Sequence, residues 1–132
     1  MKQKNKIIKL MALALFFILG VNMQAQEFMS VKISEIEVDC KYLEEYKKIL
    51  KEESELSVKE EDGVLVLYAL SHKDNPCKFS IIESYKDEKS YQKHIESEHF
   101  KRYKQGTLHM VKSLKFIPLE ALSPNMRLNK EF

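Results

Sequence analysis

Tryptophan is absent from this chain of 132 residues, glycine and proline occur three times each, and cysteine twice. So few turn-formers, with no repeat and no low-complexity run, exclude linkers and a multi-domain architecture. Motifs of several common chemistries are missing too. There is no Gly-rich phosphate loop, no G-x-S-x-G around a nucleophilic serine, and no H-E-x-x-H pair for a metal.

A basic surplus is also lacking once the first residues are set apart. Residues 1–26 carry Lys2, Lys4, Lys6 and Lys9, then an uncharged stretch from Leu10 to Val21, then a small-residue exit at Ala25. This is the pattern of a secretory signal peptide, so the mature chain is expected to be exported, periplasmic or secreted. The apolar stretch would span roughly 18 Å as a helix against a hydrocarbon core of ~30 Å, so no membrane anchor is expected after leader removal. No cysteine stands near the cut to take a lipid. Without those four lysines the balance moves from 22 basic against 20 acidic residues to 18 against 20. A chain near −2 has no basic excess to neutralise a phosphate backbone, and no nucleic-acid partner is expected.

What remains divides into a domain at 27–122 and a polar tail at 123–132. Val31 to Val38 is rich in β-branched residues and predicts a strand. Asp39 can cap a helix in which Leu43, Tyr46, Ile49/Leu50, Glu53 and Leu56 recur every three or four residues, with the charged tract Lys47–Glu61 as its solvated side. Asp62-Gly63 turns into an unbroken apolar run, Val64–Leu70, read as a strand buried on both sides. Lys78–Tyr85 alternates Phe79, Ile81, Glu83 and Tyr85 against Ser80, Ile82 and Ser84. A second helix runs from Asp87 towards Tyr103, with a break at Gly106, and a last strand covers 109–119.

The order βαββαβ predicts an α+β, ferredoxin-like fold: a four-stranded antiparallel sheet with both helices on one face. Its other face, apolar and uncovered, needs a partner, and a homodimer through sheet faces is expected. Cys40 ends the first strand and Cys77 begins the third, antiparallel neighbours in this sheet, so the two are a disulfide candidate in an exported chain, with a catalytic thiol the other reading. In the chain-entropy picture such a closure stabilises by roughly 3–4 kcal/mol.

Four segments together resemble the antibiotic biosynthesis monooxygenase (ABM) domain family. They are Glu61-Asp-Gly63-Val-Leu-Val-Leu-Tyr68, then Asn75-Pro76, then Phe79-Ser-Ile-Ile-Glu83-Ser-Tyr85-Lys-Asp87-Glu, then Tyr91-Gln-Lys-His94-Ile-Glu-Ser97-Glu-His99-Phe100. The resemblance implies a dimeric α+β barrel with a cavity between helices and sheet. Similar domains include oxygenases of quinols and aromatic polyketides that use neither metal nor flavin, haem-degrading enzymes, isomerases of small metabolites, and members without known activity. Haem-degrading relatives use a Trp in the second helix and a downstream His ligand. Here His94 and Lys104 fall at those places, so no haem is expected.

His94 is the candidate base. Its place beside Tyr91 and Ile95 points it towards the sheet, and imidazole suits removal of a phenolic proton. Glu98, one helical turn on, is expected to orient it. The other reading of His94 is a structural imidazole hydrogen-bonded to a neighbour. His99 lies about 140° round a continuous helix from His94, so the two cannot share a metal, and none is expected. With Phe100, His99 fixes a helix end or a cavity rim. Glu83 reads as a dimer-interface ion-pair member or as a cavity acid. Tyr68, Tyr85, Tyr91 and Tyr103 offer flat apolar area and hydroxyls for an aromatic ligand. The expected activity is oxidation of a quinol or other electron-rich aromatic without any cofactor. The alternatives are a non-catalytic, stress-associated domain that binds a small molecule, and an isomerase of a small metabolite.

Overall fold

Alternating apolar and polar residues form the strands, and three- and four-residue spacing forms the helices, in a computed structural model of the chain. It describes residues 29–122, so the predicted leader and polar tail lie outside the described residues. Strand β1 (Ser30–Val38) leads through one tight helical turn (Cys40–Tyr42) into helix α1 (Leu43–Glu60). Strands β2 (Val64–Ser71) and β3 (Lys78–Tyr85) follow, then helices α2 (Glu88–Glu96) and α3 (Glu98–Thr107), then β4 (Val111–Ile117). The sheet order is β2-β3-β1-β4 and every pairing is antiparallel. The fold is ferredoxin-like α+β.

Register decides which residues meet the helices. Ile36 stands opposite Phe79, and Ser34 opposite Ile81, which puts these on one face with Glu83 and Tyr85. Tyr46 and Leu50 of α1 close over Ile36, Val38, Phe79, Ile81 and Met110 to form the core. Cys40 and Cys77 are joined by a disulfide, their Cα atoms 5.4 Å apart, where the end of β1 meets the start of β3. The Asp39 side chain accepts the Lys41 N–H at 3.1 Å and so caps the turn before α1.

Two elements differ from the expectation. The Val64–Leu70 run is not buried on both sides: β2 is an edge strand, and Leu65, Tyr68 and Leu70 are exposed. Helices cover only one face of the sheet, so alternate residues of β2 remain open. The second helix is two helices, broken at Ser97 (φ −65°, ψ 149°). The Ser97 N–H donates to the His94 carbonyl at 3.0 Å, and its hydroxyl oxygen accepts the Phe100 N–H at 3.3 Å. Serine thus ends one helix and caps the next, since its short side chain competes with the backbone for helical partners. No described helix is long and apolar enough to cross a membrane.

Candidate functional site

Helix α1 buries one stripe, and the stripe changes character along its length. Tyr46 and Leu50 are apolar, while Glu53 and Ser57, on the same face one and two turns later, are polar and buried. The residue spacing puts Glu53 at a stripe position, while the charged tract around it reads as the solvated side. The structure turns both Glu53 and Glu61 inward, and Glu53 is only 6% exposed. Glu61 caps the end of α1, and the loop after it folds back so that the Gly63 carbonyl accepts the Lys86 N–H at 2.9 Å. That return brings Glu61 to the helix carrying His94.

The break at Ser97 supplies the rest. It re-aims α3 so that His99 comes back to His94, with ring centroids 6.2 Å apart. Both imidazoles share one oxygen: His94 Nδ1–H donates to Glu61 Oε1 at 2.9 Å, and His99 Nε2–H donates to the same atom at 2.6 Å. A carboxylate oxygen only accepts, so both ring nitrogens carry protons. His94 Nε2 faces Glu53 Oε1 at 4.0 Å. The Ser57 hydroxyl donates to that same Glu53 oxygen at 2.8 Å, while Glu53 Oε2 is buried with no hydrogen-bond partner among the described residues.

Aromatic rings seal this cluster. Phe100 lies 4.9 Å from the His94 ring and Tyr85 5.4 Å, centroid to centroid, and His94 is 1% exposed. Burial pushes the Glu53 carboxyl above its ordinary range, against the pull of the Ser57 hydroxyl and the two imidazoles. Burial likewise pushes Glu83 up. The Tyr85 and Tyr103 phenols are raised by burial first, then by charged or hydroxyl neighbours. Tyr103 and Tyr46 share a 2.8 Å hydroxyl–hydroxyl bond beneath the helices.

The sequence candidates are thus redistributed. Glu98 is exposed on α3 and does not orient His94; Glu61 holds that place, because the helix that would have stacked Glu98 on His94 ends at Ser97. His99 is not turned away from His94, for the same reason, and Glu53, His94 and His99 each present a ligand-type atom within 4.8 Å of the others. Tyr85 packs against both His94 and Tyr91, and Lys32 Nζ lies 4.5 Å over the Tyr91 ring. Tyr68 stands across from Ile82 on the open sheet face, 61% exposed.

The hollow expected around the imidazole is filled by side chains. An open groove of about 410 Å³ lies between α1 and the β2–β3 edge. Leu50, Ser54, Leu67, Ala69 and Phe79 line its floor, with Lys47 and Lys51 on its helix wall, and His94 is not among the lining residues. Glu53 is not a lining residue either: it belongs to the same helix but turns towards the imidazoles.

A split-βαβ sheet with imidazoles and carboxylates buried under its helices defines an α+β domain that carries a polar interior site. Residues 29–106 match the family model described as antibiotic biosynthesis monooxygenase, and the chain belongs to that family. Among solved structures it is similar to a Bacteroides thetaiotaomicron protein assigned as an antibiotic biosynthesis monooxygenase. Identity is 46%, the TM-score is 0.71, and the match covers 76% of this chain and 96% of that one. A protein of Lactobacillus acidophilus assigned as a monooxygenase is 28% identical with a TM-score of 0.66, over 70% of this chain and 44% of that one. A Nitrosomonas europaea structure at 24% identity and TM-score 0.68, covering 77% and 98%, shares the fold. None of the curated proteins matches. The chain is a monooxygenase-like ABM domain.

Proposed function

We propose that this domain oxidises a quinol or similar electron-rich hydroxyaromatic with dioxygen, and that His94 is the proton acceptor. The observation that carries the reading is the cluster of His94 and Glu53, both buried, with His99 and Glu61, both largely so. Sequestering two imidazoles and two carboxylates opposes stability, and such clusters gather at working sites. Glu61 holds the His94 ring and leaves its Nε2 directed at Glu53. The aromatic body of the substrate would rest in the groove along α1.

Loss of the hydroxyl proton gives an electron-rich anion that passes one electron to dioxygen, and the two radicals recombine at the ring. One oxygen atom stays on the product and the other leaves as water, the quinol supplying all the electrons. No cofactor enters this scheme. The protein contributes orientation, exclusion of water and a base.

Export and pairing belong to the same proposal. The Cys40–Cys77 disulfide suits an oxidising compartment. The open sheet face, with Val31, Tyr68 and Leu70 exposed, suits a second copy.

The test is oxygen uptake by the purified chain with menadiol, against the autoxidation rate and against His94→Ala. Uptake above the control should fall by about 10²-fold or more in the variant, the usual scale for removing a general base. Equal rates, or none above autoxidation, would end the enzyme reading. A second reading, ligand binding without turnover, is favoured by the absence of His94 from the groove lining. It predicts saturable binding of menadione with no oxygen consumed.

A further inference from the structure

We propose that Glu53, His94 and His99 form a binding site for one divalent transition-metal ion of the zinc type, with Glu61 as the outer carboxylate that orients both imidazoles. This goes beyond the oxidation reading and does not depend on turnover.

Three observations converge on it. Ligand-type atoms of the three side chains lie within 4.8 Å of one another, and the His94 Nε2–Glu53 Oε1 pair is at 4.0 Å. Nitrogen and oxygen ligands about 2.1 Å from a tetrahedral ion stand ~3.4 Å apart, so a side-chain adjustment of about an ångström seats the ion. Next, Glu61 Oε1 takes an N–H from each imidazole. In neutral rings that leaves each imidazole one lone pair, and His94 Nε2, the one facing Glu53, is held there by a carboxylate–histidine bond of the kind that surrounds metal ligands. Finally, Glu53 Oε2 is buried with no hydrogen-bond partner among the described residues, an acceptor left for a ligand to satisfy.

Charge gives the class of ligand. Ligation needs the carboxylates ionised and the imidazoles neutral, and in that state the site carries two negative charges where side-chain exposure is 1% to 15%. A divalent cation cancels them; a monovalent ion leaves one uncompensated. A mixed nitrogen and oxygen set with no thiolate suits Zn²⁺, Co²⁺, Fe²⁺ or Mn²⁺ over Cu⁺, and the imidazoles disfavour Ca²⁺ and Mg²⁺. The ligands come from α1, α2 and α3, so the ion would tie all three helices together under one bond set. It would also occupy the His94 lone pair, so the loaded chain should oxidise menadiol more slowly than the metal-free one.

The experiment uses the full chain with no histidine tag, treated with a chelator, desalted and titrated with Co²⁺, then Zn²⁺. The expected result is visible d–d absorption saturating at one Co²⁺ per chain, bleached by Zn²⁺, with a rise in thermal midpoint. Glu53→Gln and His99→Ala should each abolish the absorption, while Glu61→Gln should weaken binding by about 10–100-fold, the usual loss for an outer partner. Circular dichroism checks that each variant is folded. The wild-type titration stands without the variants: no saturable absorption and no retained metal by mass spectrometry overturns the proposal. So does absorption that persists undiminished in folded Glu53→Gln and His99→Ala, which would place the ion on surface histidines. Failure of menadiol oxidation leaves these readouts untouched, and the two readings fail separately.

Discussion

Tyr46 and Tyr103 show how individual polar atoms are held under the helices. Their hydroxyls bond at 2.8 Å, with Tyr46 fully buried. Tyr103→Phe would leave the Tyr46 hydroxyl unsatisfied and should cost about 1–3 kcal/mol in urea denaturation, whereas the Tyr46→Phe, Tyr103→Phe pair should cost less than the two singles added. Glu83 offers a pH test. Burial raises its folded pKa above the unfolded value. Its stabilising contribution is therefore complete below the ordinary glutamate range and lost as pH rises through the folded value. Glu83→Gln should raise the thermal midpoint at pH 7, with a gain that shrinks towards pH 4; a drop at pH 7 would contradict the burial argument. His94 as an inward-facing residue was legible from its spacing on the helix. Its carboxylate was not, because Glu61 is 33 residues away in sequence and reaches it only through the fold.

Among the elements, the turn at Asp62-Gly63 matters beyond its own geometry. A Cβ on Gly63 would collide with the Oγ and Cβ of Ser90 in the first turn of α2. Ser90 has no freedom to yield, since its hydroxyl donates to Asp87 Oδ1 at 2.7 Å and its N–H to the same oxygen at 2.6 Å. Gly63→Ala should therefore destabilise by about 1–3 kcal/mol, the range for overpacking, and a chemical denaturation midpoint equal to wild type would refute the close approach. The same contact positions Glu61 against α2, so the variant should also disturb the histidine cluster. Strand identities and helix α1 followed from periodicity. The break at Ser97 did not, because Ser97 lies mid-pattern among helix-compatible residues and only its capping bonds reveal it. That one missed boundary accounts for the errors over both Glu98 and His99.

At the scale of the molecule, helices cover one sheet face and leave Val31, Tyr68 and Leu70 open on the other. Ile82 sits at the centre of that face, between Ile33 on β1 and Tyr68 on β2. Ile82→Lys should convert the proposed dimer to a folded monomer in size-exclusion chromatography with light scattering, because a charge in a desolvated interface has no partner. A wild-type monomer, or an undisturbed dimer in the variant, would remove the sheet-to-sheet arrangement. The groove along α1 opens beside the exposed edge of β2, so the seat proposed for the ligand and the uncovered sheet face meet at one strand.

Local chemistry in the chain determined the βαββαβ order, the antiparallel sheet, the nearness of Cys40 to Cys77 and the inward face of the helix that bears His94. Each depends on residue spacing or on neighbours that topology dictates. Only the tertiary structure decided that Glu53 and Glu61 leave solvent to meet two imidazoles, that the space around His94 is filled, and that the groove lies on the far side of α1. Those outcomes depend on how three helices and one loop converge in space, and hydrophobic periodicity carries no information about where a charged side chain finds its partner.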